Sequence, residues 1–218
     1  MGLPVMIMGR SGSGKTFSLK NFEPGEVGII SVEKGRLPFK SDLKTVKIPA
    51  TFTAEDMKSF AQLNAAKYAW LKMVIKKSQT KAVVIDDSQY LLVNELFDRS
   101  KEKGYDKFTD MAANFRSLIH FVNELPDDDK IVYFLHHSEA DSDGREKAKT
   151  IGKMLDEKLT VEGCFDIVIY CQDHIFYTQG NGQSSAKTPE GMFETVEIPN
   201  DLKAVDKAIR EFYGMEGC

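Results

Sequence analysis

The sequence lacks the features of a secreted, membrane-spanning or broadly nucleic-acid-binding protein. Its three cysteines are odd in number and have no metal-ligand spacing, which indicates reduced thiols rather than a disulfide framework. No apolar run is long enough to cross a bilayer, and the short apolar start has neither a basic leader nor a small-residue cleavage site. The formal net charge of −4 excludes a generally basic surface. We therefore expect a cytoplasmic protein without membrane contacts.

What the chain does contain is a regular alternation of apolar strands with helical segments. Strands are predicted at 3–8, 27–32, 82–85, 131–135 and 165–171, with shorter ones at 45–48, 175–178 and 192–198. Helices are predicted at 15–21, from 53 through 75, and at 90–97, 108–125, 151–159 and 201–213. We expect Asn200 to cap the last helix. This alternation predicts a single α/β domain over residues 1–218, with a mostly parallel sheet and helices on both faces.

The first strand runs into a sequence that fits the phosphate-loop pattern G-x-x-x-x-G-K-[ST]. Its glycines allow the backbone to curl around a phosphate, and its amides point partial positive charge at the anion. Lys15 is expected to bind the β- and γ-phosphates, and the Thr16 hydroxyl to ligate Mg²⁺. The pattern predicts Mg-ATP binding by Gly9, Arg10, Ser11, Gly12, Ser13, Gly14, Lys15 and Thr16. A loop that binds nucleotide without turnover stays open as an alternative.

The third strand, at 82–85, ends in two carboxylates, Asp86 and Asp87, in the Walker B arrangement. Asp86 is expected to hold Mg²⁺ through water, because this hard cation keeps much of its hydration shell. Asp87 is a candidate for orienting the attacking water. The alternative is a solvated strand end, which is common in α/β proteins.

Two further strand ends carry candidates for the same site. Glu33 follows the second strand, which we place next to the strand carrying the phosphate loop, where a carboxylate can act as general base on water. The alternative is an ordinary surface glutamate. His136 and His137 end the fourth strand, and neighbouring strand residues point to opposite faces. We therefore expect one histidine to sense the γ-phosphate and prefer His137. The alternatives are a hydrogen-bonded pair without ligand contact or a metal site, although side chains on opposite faces do not favour two ligands to one metal.

The order of these features resembles that of the RecA-like ATPases. Over nearly its whole length, including residues 187–193 and 198–202, the chain is similar to compact phage nucleotide-binding proteins of the AAA/RecA-like class. Some relatives of that class are single-strand annealing recombinases. The resemblance implies a RecA-like P-loop ATPase fold, water activation by Glu33, and residence in the host cytoplasm if the protein is phage-encoded.

The chain departs from the RecA-type pattern in two respects. The first strand begins almost at once, so filament assembly through a preceding polymerisation segment is not expected. No arginine finger can be assigned within the chain. Candidates are Arg36, Arg116 and Arg145, or Lys187 acting from a neighbouring subunit, and each is otherwise a solvated surface cation.

The resemblance also implies contacts with single-stranded DNA, which RecA-like proteins make through loops after the third and fourth strands. Residues 99–108 mix cations with Tyr105 and Phe108, and residues 138–153 carry Arg145, Lys147, Lys149 and Lys153. Cations can follow a phosphate backbone and aromatic rings can stack on bases. The alternative is a pair of solvated loops. A homo-oligomer is also expected.

Three functions remain open at this stage. The first is a Mg-dependent ATPase that acts on phage single-stranded DNA in recombination or replication. The second is a nucleotide-dependent interaction or loader protein with little turnover. The third is a small-molecule kinase, although the arginine-rich lid that such enzymes use is not visible. A GTPase is disfavoured because no N-K-x-D motif is present.

Overall fold

A mostly parallel sheet forms the centre of the protein. The computed structural model describes residues 1–33, 35–49, 59–180 and 182–217. Within these ranges the strands are β1 (Leu3–Gly9), β2 (Val27–Ser31), β3 (Thr45–Lys47), β4 (Ala82–Asp86), β5 (Ile131–Ala140), β6 (Glu146–Ala148), β7 (Ile167–Gln172), β8 (Ile175–Tyr177) and β9 (Glu197–Pro199). Strands β3, β2, β4, β5, β1 and β7 pair in parallel, whereas β6, β8 and β9 are antiparallel. The predicted α/β class is confirmed.

Helices cover both faces of this sheet, as predicted. They are α1 (Phe60–Lys77), α2 (Tyr90–Asp98), α3 (Asp106–Asn123), α4 (Lys153–Asp156) and α5 (Leu202–Tyr213), with 3-10 helices at Thr16–Asn21 and Val161–Cys164. One apolar layer joins α1, α2 and α3 to Met6 and Met8 of β1. The other joins the first 3-10 helix and α5 to Val5 and Ile7. None of the helices in the described ranges is long and apolar enough to cross a membrane.

The strand order corrects one prediction. The order is β3-β2-β4-β5-β1-β7-β8-β9, so β4 and β5 lie between β2 and β1. The prediction that the strand before Glu33 adjoins the phosphate-loop strand is therefore wrong. Central parallel strands are apolar on both faces, and that pattern carries no information about which strands are neighbours.

The fourth predicted strand is longer than expected, and the polar segment after it is not a loop. β5 continues through the histidine pair to Ala140 and forms a hairpin with β6. Its polar side chains can be buried because they find partners: Ser138 Oγ donates to Glu146 Oε2 at 2.5 Å. The turn is closed by Asp141, whose Oδ1 accepts from the backbone amides of Asp143 and Arg145, each at 2.9 Å.

Several helix and strand bounds also differ from the predictions. The helix after the phosphate loop is a short 3-10 helix, which ends before Pro24. The helix predicted at 151–159 is reduced to α4, and only β9 forms from the strand predicted at 192–198. Asp201, not Asn200, caps α5, since its side chain accepts from the amides of Lys203 and Ala204. Ser59 caps α1, and the predicted helix start at 53–56 lies outside the described residues.

A buried ion network holds the turn between α2 and α3. Arg99 is 3% exposed and donates to Glu95, Glu102 and Asp110 at 3.2, 2.8 and 2.8 Å. Asn114 also donates to Glu95, at 3.0 Å. Burial raises the pKa of Glu95, and the hydrogen bonds from Arg99 and Asn114 oppose that rise. Arg99, counted among the DNA-contacting cations of residues 99–108, is therefore a structural residue.

We expect Arg99→Ala to lower the free energy of unfolding by about 3 kcal/mol, because it leaves a buried carboxylate without its cation. Urea unfolding followed by circular dichroism measures the change. The matched control is Arg145→Ala, an exposed arginine, for which a change within about 0.5 kcal/mol is expected. Equal effects of the two substitutions would contradict the structural role of Arg99.

Candidate active site

The phosphate loop leaves the carboxyl end of β1 and turns back over it. An added Cβ at Gly9 would lie 2.3 Å from the Cys171 carbonyl oxygen and 2.6 Å from Ser13 Oγ, so only glycine fits there. At Gly14, where φ is +108°, a Cβ would lie 2.4 Å from Asn200 Nδ2. The loop is thus confined by β7 on one side and by Asn200, the residue before the cap of α5, on the other.

Parallel pairing brings the predicted polar strand ends together. Gly9 of β1 is in register with His137 of β5, and β5 also pairs with β4, which ends in Asp86. Thr16 Oγ1 donates to Asp86 Oδ1 at 2.9 Å. Lys15 is buried and donates from Nζ to the carbonyl oxygens of Gly9 and Arg10 at 2.8 and 3.0 Å. The predicted site residues of the phosphate loop therefore meet Asp86 and His137 at one edge of the sheet.

Asp86 lies in an environment that disfavours its charge. Burial raises the pKa of its carboxyl to about 6, and the neighbouring charge of Asp87 adds to the rise. The hydrogen bond from Thr16 and the charge of Lys15 act in the opposite direction.

A bound cation would stabilise the charged form of a buried carboxylate of this kind. Thr16 and Asp86 offer hard oxygen donors that fit Mg²⁺ with water completing its shell. The described residues contain no cluster of three metal-ligating acidic, histidine or cysteine side chains.

The second aspartate is held in an unusual conformation. Asp87 has φ of +62°, in the left-handed region, although it is not a glycine. Its Oδ1 lies 3.2 Å from Nε2 of His137, and the His137 ring packs edge-on against Tyr90 at 5.7 Å. Such backbone strain is typical of functional sites, where the surrounding structure enforces it. Asp87 and His137 therefore form a fixed pair beside the phosphate loop.

The other histidine of the pair is structural. His136 is fully buried, with Nε2 2.9 Å from the carbonyl oxygen of Lys149 and Nδ1 2.9 Å from Ser88 Oγ. Because a carbonyl only accepts, Nε2 carries the proton, and Nδ1 is the acceptor that faces the Ser88 hydroxyl, which is also a donor to the Leu135 carbonyl oxygen at 3.1 Å. Burial lowers the pKa of His136 to about 3. The expected division of the two histidines between opposite faces is what the structure shows.

A cavity of about 370 Å³ opens between the phosphate loop and these strand ends. Its lining includes Lys15 and Thr16 together with Asp86, Asp87 and His137. Glu33 is exposed and does not line this cavity. The structure therefore brings together the predicted site residues of β4 and β5 with the loop. Glu33 follows Val32, whose backbone amide donates to the Asp86 carbonyl oxygen at 3.1 Å.

Residues that sequence reasoning did not assign to the site complete the cavity lining. They are Phe17, Pro38 and His174, and Arg36 joins them as the one arginine-finger candidate that borders the cavity. Asn200, predicted as a helix cap, instead donates to the carbonyl oxygen of Gly14 at 3.0 Å. No sequence pattern marks His174 or Asn200, because they reach the loop only through the turn after β7 and the start of α5.

The phosphate loop is also tied to the β5–β6 hairpin. Arg10 Nε donates to Glu146 Oε1 at 2.7 Å, and Glu146 in turn accepts from Ser138. The backbone amide of Lys149 donates to the His137 carbonyl oxygen at 2.8 Å. The hairpin therefore contacts both the loop and the strand end that carries His137.

Comparison with known proteins agrees with this geometry. A family model described as an AAA domain matches residues 1–191. The chain belongs to this AAA domain family. A search of curated proteins found no match. Membership of the AAA domain family supports nucleotide binding at the loop, and the match stops before Asn200 and α5, which complete the loop's surroundings.

The buried His136 makes the free energy of unfolding depend on pH, in a direction that its lowered pKa defines. Below pH 6.5 the unfolded chain protonates this histidine, whereas the folded state does so only near its pKa of about 3. The unfolded state binds more protons in that window, so the contribution of His136 to stability falls as pH falls, by up to about 1.4 kcal/mol per pH unit.

We expect the difference in unfolding free energy between the wild type and His136→Gln to shrink between pH 6.5 and pH 4. Urea unfolding at a series of pH values measures it. Asp86 titrates near this window with the opposite sign, because its pKa is raised, but it is present in both proteins and cancels in the difference. A difference that is constant with pH would contradict a buried neutral imidazole.

Proposed function

We propose that this AAA domain protein is a Mg-dependent ATPase. One observation carries the proposal: Lys15, Thr16, Asp86, Asp87 and His137 converge on a single cavity at the carboxyl edge of the sheet. Ligands of open α/β sheets bind at that edge. A loop that only binds phosphate does not require the second aspartate and the histidine, so their convergence favours hydrolysis over passive binding.

The proposed roles follow from the contacts. Lys15 is held by carbonyl oxygens of its own loop, which are weaker partners than phosphate, so its ammonium group is placed to turn to the β- and γ-phosphates. Thr16 and Asp86 would hold Mg²⁺, which when bound neutralises charge on the phosphate oxygens. The protein thus supplies a fixed set of positive charges and amides around the phosphates.

Water activation is proposed for Asp87 rather than for Glu33. Asp87 lines the cavity and its Oδ1 is 3.2 Å from Nε2 of His137, so its carboxylate is placed to accept a proton from an attacking water. His137 is placed to respond to the γ-phosphate through that contact. The RecA-like resemblance favours Glu33, which is exposed and is not among the residues that line the cavity.

We expect Asp87→Asn to lower kcat for ATP hydrolysis by about 100-fold with little change in KM, because the amide keeps the contact with His137 but cannot accept a proton. Glu33→Gln is expected to retain kcat within about threefold. Phosphate release under saturating ATP and Mg²⁺ measures both. The reverse result would return the role of base to Glu33.

Lys15→Ala is the control for these variants, since it removes the phosphate ligand itself. It is expected to abolish turnover and to weaken ATP binding, as measured by calorimetry. Undiminished hydrolysis by this variant would show that the activity comes from a contaminant.

A nucleotide-dependent interaction protein with little turnover is the second candidate. The bond between Arg10 and Glu146 favours it, because a nucleotide that moves the loop would also move the β5–β6 hairpin. This candidate predicts ATP-dependent complex formation with negligible phosphate release. Hydrolysis at a steady rate separates the ATPase from it, and transfer of phosphate to an added small molecule would indicate a kinase.

We further propose that the partner is single-stranded DNA, bound by the hairpin and the residues after it, in phage recombination or replication. Arg145, Lys149 and Lys153 are exposed there, whereas Lys147 is paired with Asp156. In the segment 99–108 several side chains are already used: Lys107 bonds backbone carbonyl oxygens and Phe108 packs on the core. Tyr105, 72% exposed, is the aromatic that remains there for stacking.

We expect replacement of Arg145, Lys149 and Lys153 by alanine to weaken binding of single-stranded DNA. The plot of log affinity against log salt should become shallower by about 2, since each lost phosphate contact removes about 0.7. Fluorescence anisotropy with a labelled oligonucleotide and a nonhydrolysable ATP analogue measures it. The control is Lys101→Ala with Lys103→Ala, and equal losses in both variants would remove the preference for the hairpin.

A homo-oligomer is proposed as the working state, in which a neighbouring subunit supplies a cation to the site. In the described part of the chain, no arginine other than Arg36 lines the cavity. Lys187 is exposed and remains a candidate for insertion into a neighbour's site. Both assignments rest on the RecA-like resemblance.

A further inference from the structure

The cavity has a second group of lining residues that phosphate chemistry does not use. Phe17 follows Thr16 directly, and His174 comes from the turn between β7 and β8. Their rings meet edge-on at 5.1 Å, and Pro38 borders the same space. An aromatic and apolar wall next to a phosphate loop is suited to bind the base of a nucleotide, which is flat and uncharged.

The turn that carries His174 is strained. Gln172 pairs with Ile175, so Asp173 and His174 form a two-residue hairpin loop, and their φ angles are +47° and +60°. Such turns favour Asn-Gly or Asp-Gly, so Asp173 suits the first position and His174 stands where glycine is preferred. A histidine at the position that favours glycine indicates that its side chain has a use here.

The imidazole of His174 is held over the phosphate loop from several sides. Its backbone amide donates to the Ser13 carbonyl oxygen at 2.9 Å. Its Nδ1 lies 3.4 Å from Asn200 Nδ2, which itself donates to the Gly14 carbonyl oxygen. His174 is nevertheless exposed and lines the cavity, so its ring is accessible there. Phe17 is less available as a platform, because Lys20 Nζ lies 4.6 Å from its ring centroid.

We propose that His174 is the residue on which the base of the nucleoside triphosphate stacks, with Phe17 as the support of its ring edge. This inference rests on the proposed nucleotide site and adds its base-binding half. Asn200 acts as a positioning residue, since it joins the imidazole to the loop backbone. Stacking on an aromatic ring requires only a flat base, so the other nucleoside triphosphates should be bound with affinities close to that of ATP.

The test compares ATP with inorganic tripolyphosphate, which has the phosphates but no base. We expect His174→Gly to weaken ATP binding about tenfold and to leave tripolyphosphate binding unchanged within twofold, as measured by calorimetry. His174→Phe is expected to restore most of the ATP affinity, because it returns an aromatic face. His174→Gly should not lose stability, since glycine relieves the left-handed backbone.

Asp173→Gly is the matched control, because it changes the same strained turn at a residue outside the lining of this cavity. It should leave both affinities unchanged. Equal weakening of ATP and tripolyphosphate by His174→Gly, or no effect on either, would overturn the stacking role while leaving the nucleotide site intact. Wild-type protein that binds neither ligand would overturn the nucleotide site itself.

Discussion

The site depends on the parallel pairing of β1 and β4 on either side of β5. This pairing places Gly9 in register with His137 and brings Asp86 within reach of the Thr16 hydroxyl, at 2.9 Å. Backbone hydrogen bonds fix that arrangement, so the polar strand ends cannot move apart without breaking the sheet. The apolar layers on the two faces of the sheet also stabilise this arrangement, because they pack the strands against α3 on one face and α5 on the other.

The charges at the carboxyl edge of the sheet do not cancel one another. Two adjacent aspartates face one buried lysine, and burial raises the pKa of Asp86 to about 6. A bound cation would stabilise the charged form of such a carboxylate pair. His137 orients Asp87, whereas His136 anchors the strand in the core. The two neighbouring histidines have separate tasks because a strand alternates its faces.

The phosphate loop and the Walker B strand could be predicted because their residue types are required by the chemistry at a fixed spacing. The mostly parallel sheet followed from the alternation of apolar strands and helices. The place in the sheet of β2, the strand before Glu33, could not be predicted. Every inner strand is apolar on both faces, and the order of the strands is set by the packing of crossover helices. The β5–β6 hairpin was missed for a related reason: its polar residues pair with each other, and hydrophobic patterning does not detect such pairs.

The sequence alone determined the phosphate-loop pattern at residues 9–16, which predicts phosphate binding, and the carboxylate-ended strand that accompanies that loop. Tertiary structure decided which of the other strand ends line the cavity beside the loop: Asp87 and His137 do so, and Glu33 is not among the lining residues. It also added His174 and Asn200, which are distant in sequence and carry no motif. The physical reason is that a phosphate loop is a local backbone conformation, whereas the rest of the site is made by strand register, turns and a terminal helix that only the complete fold brings together.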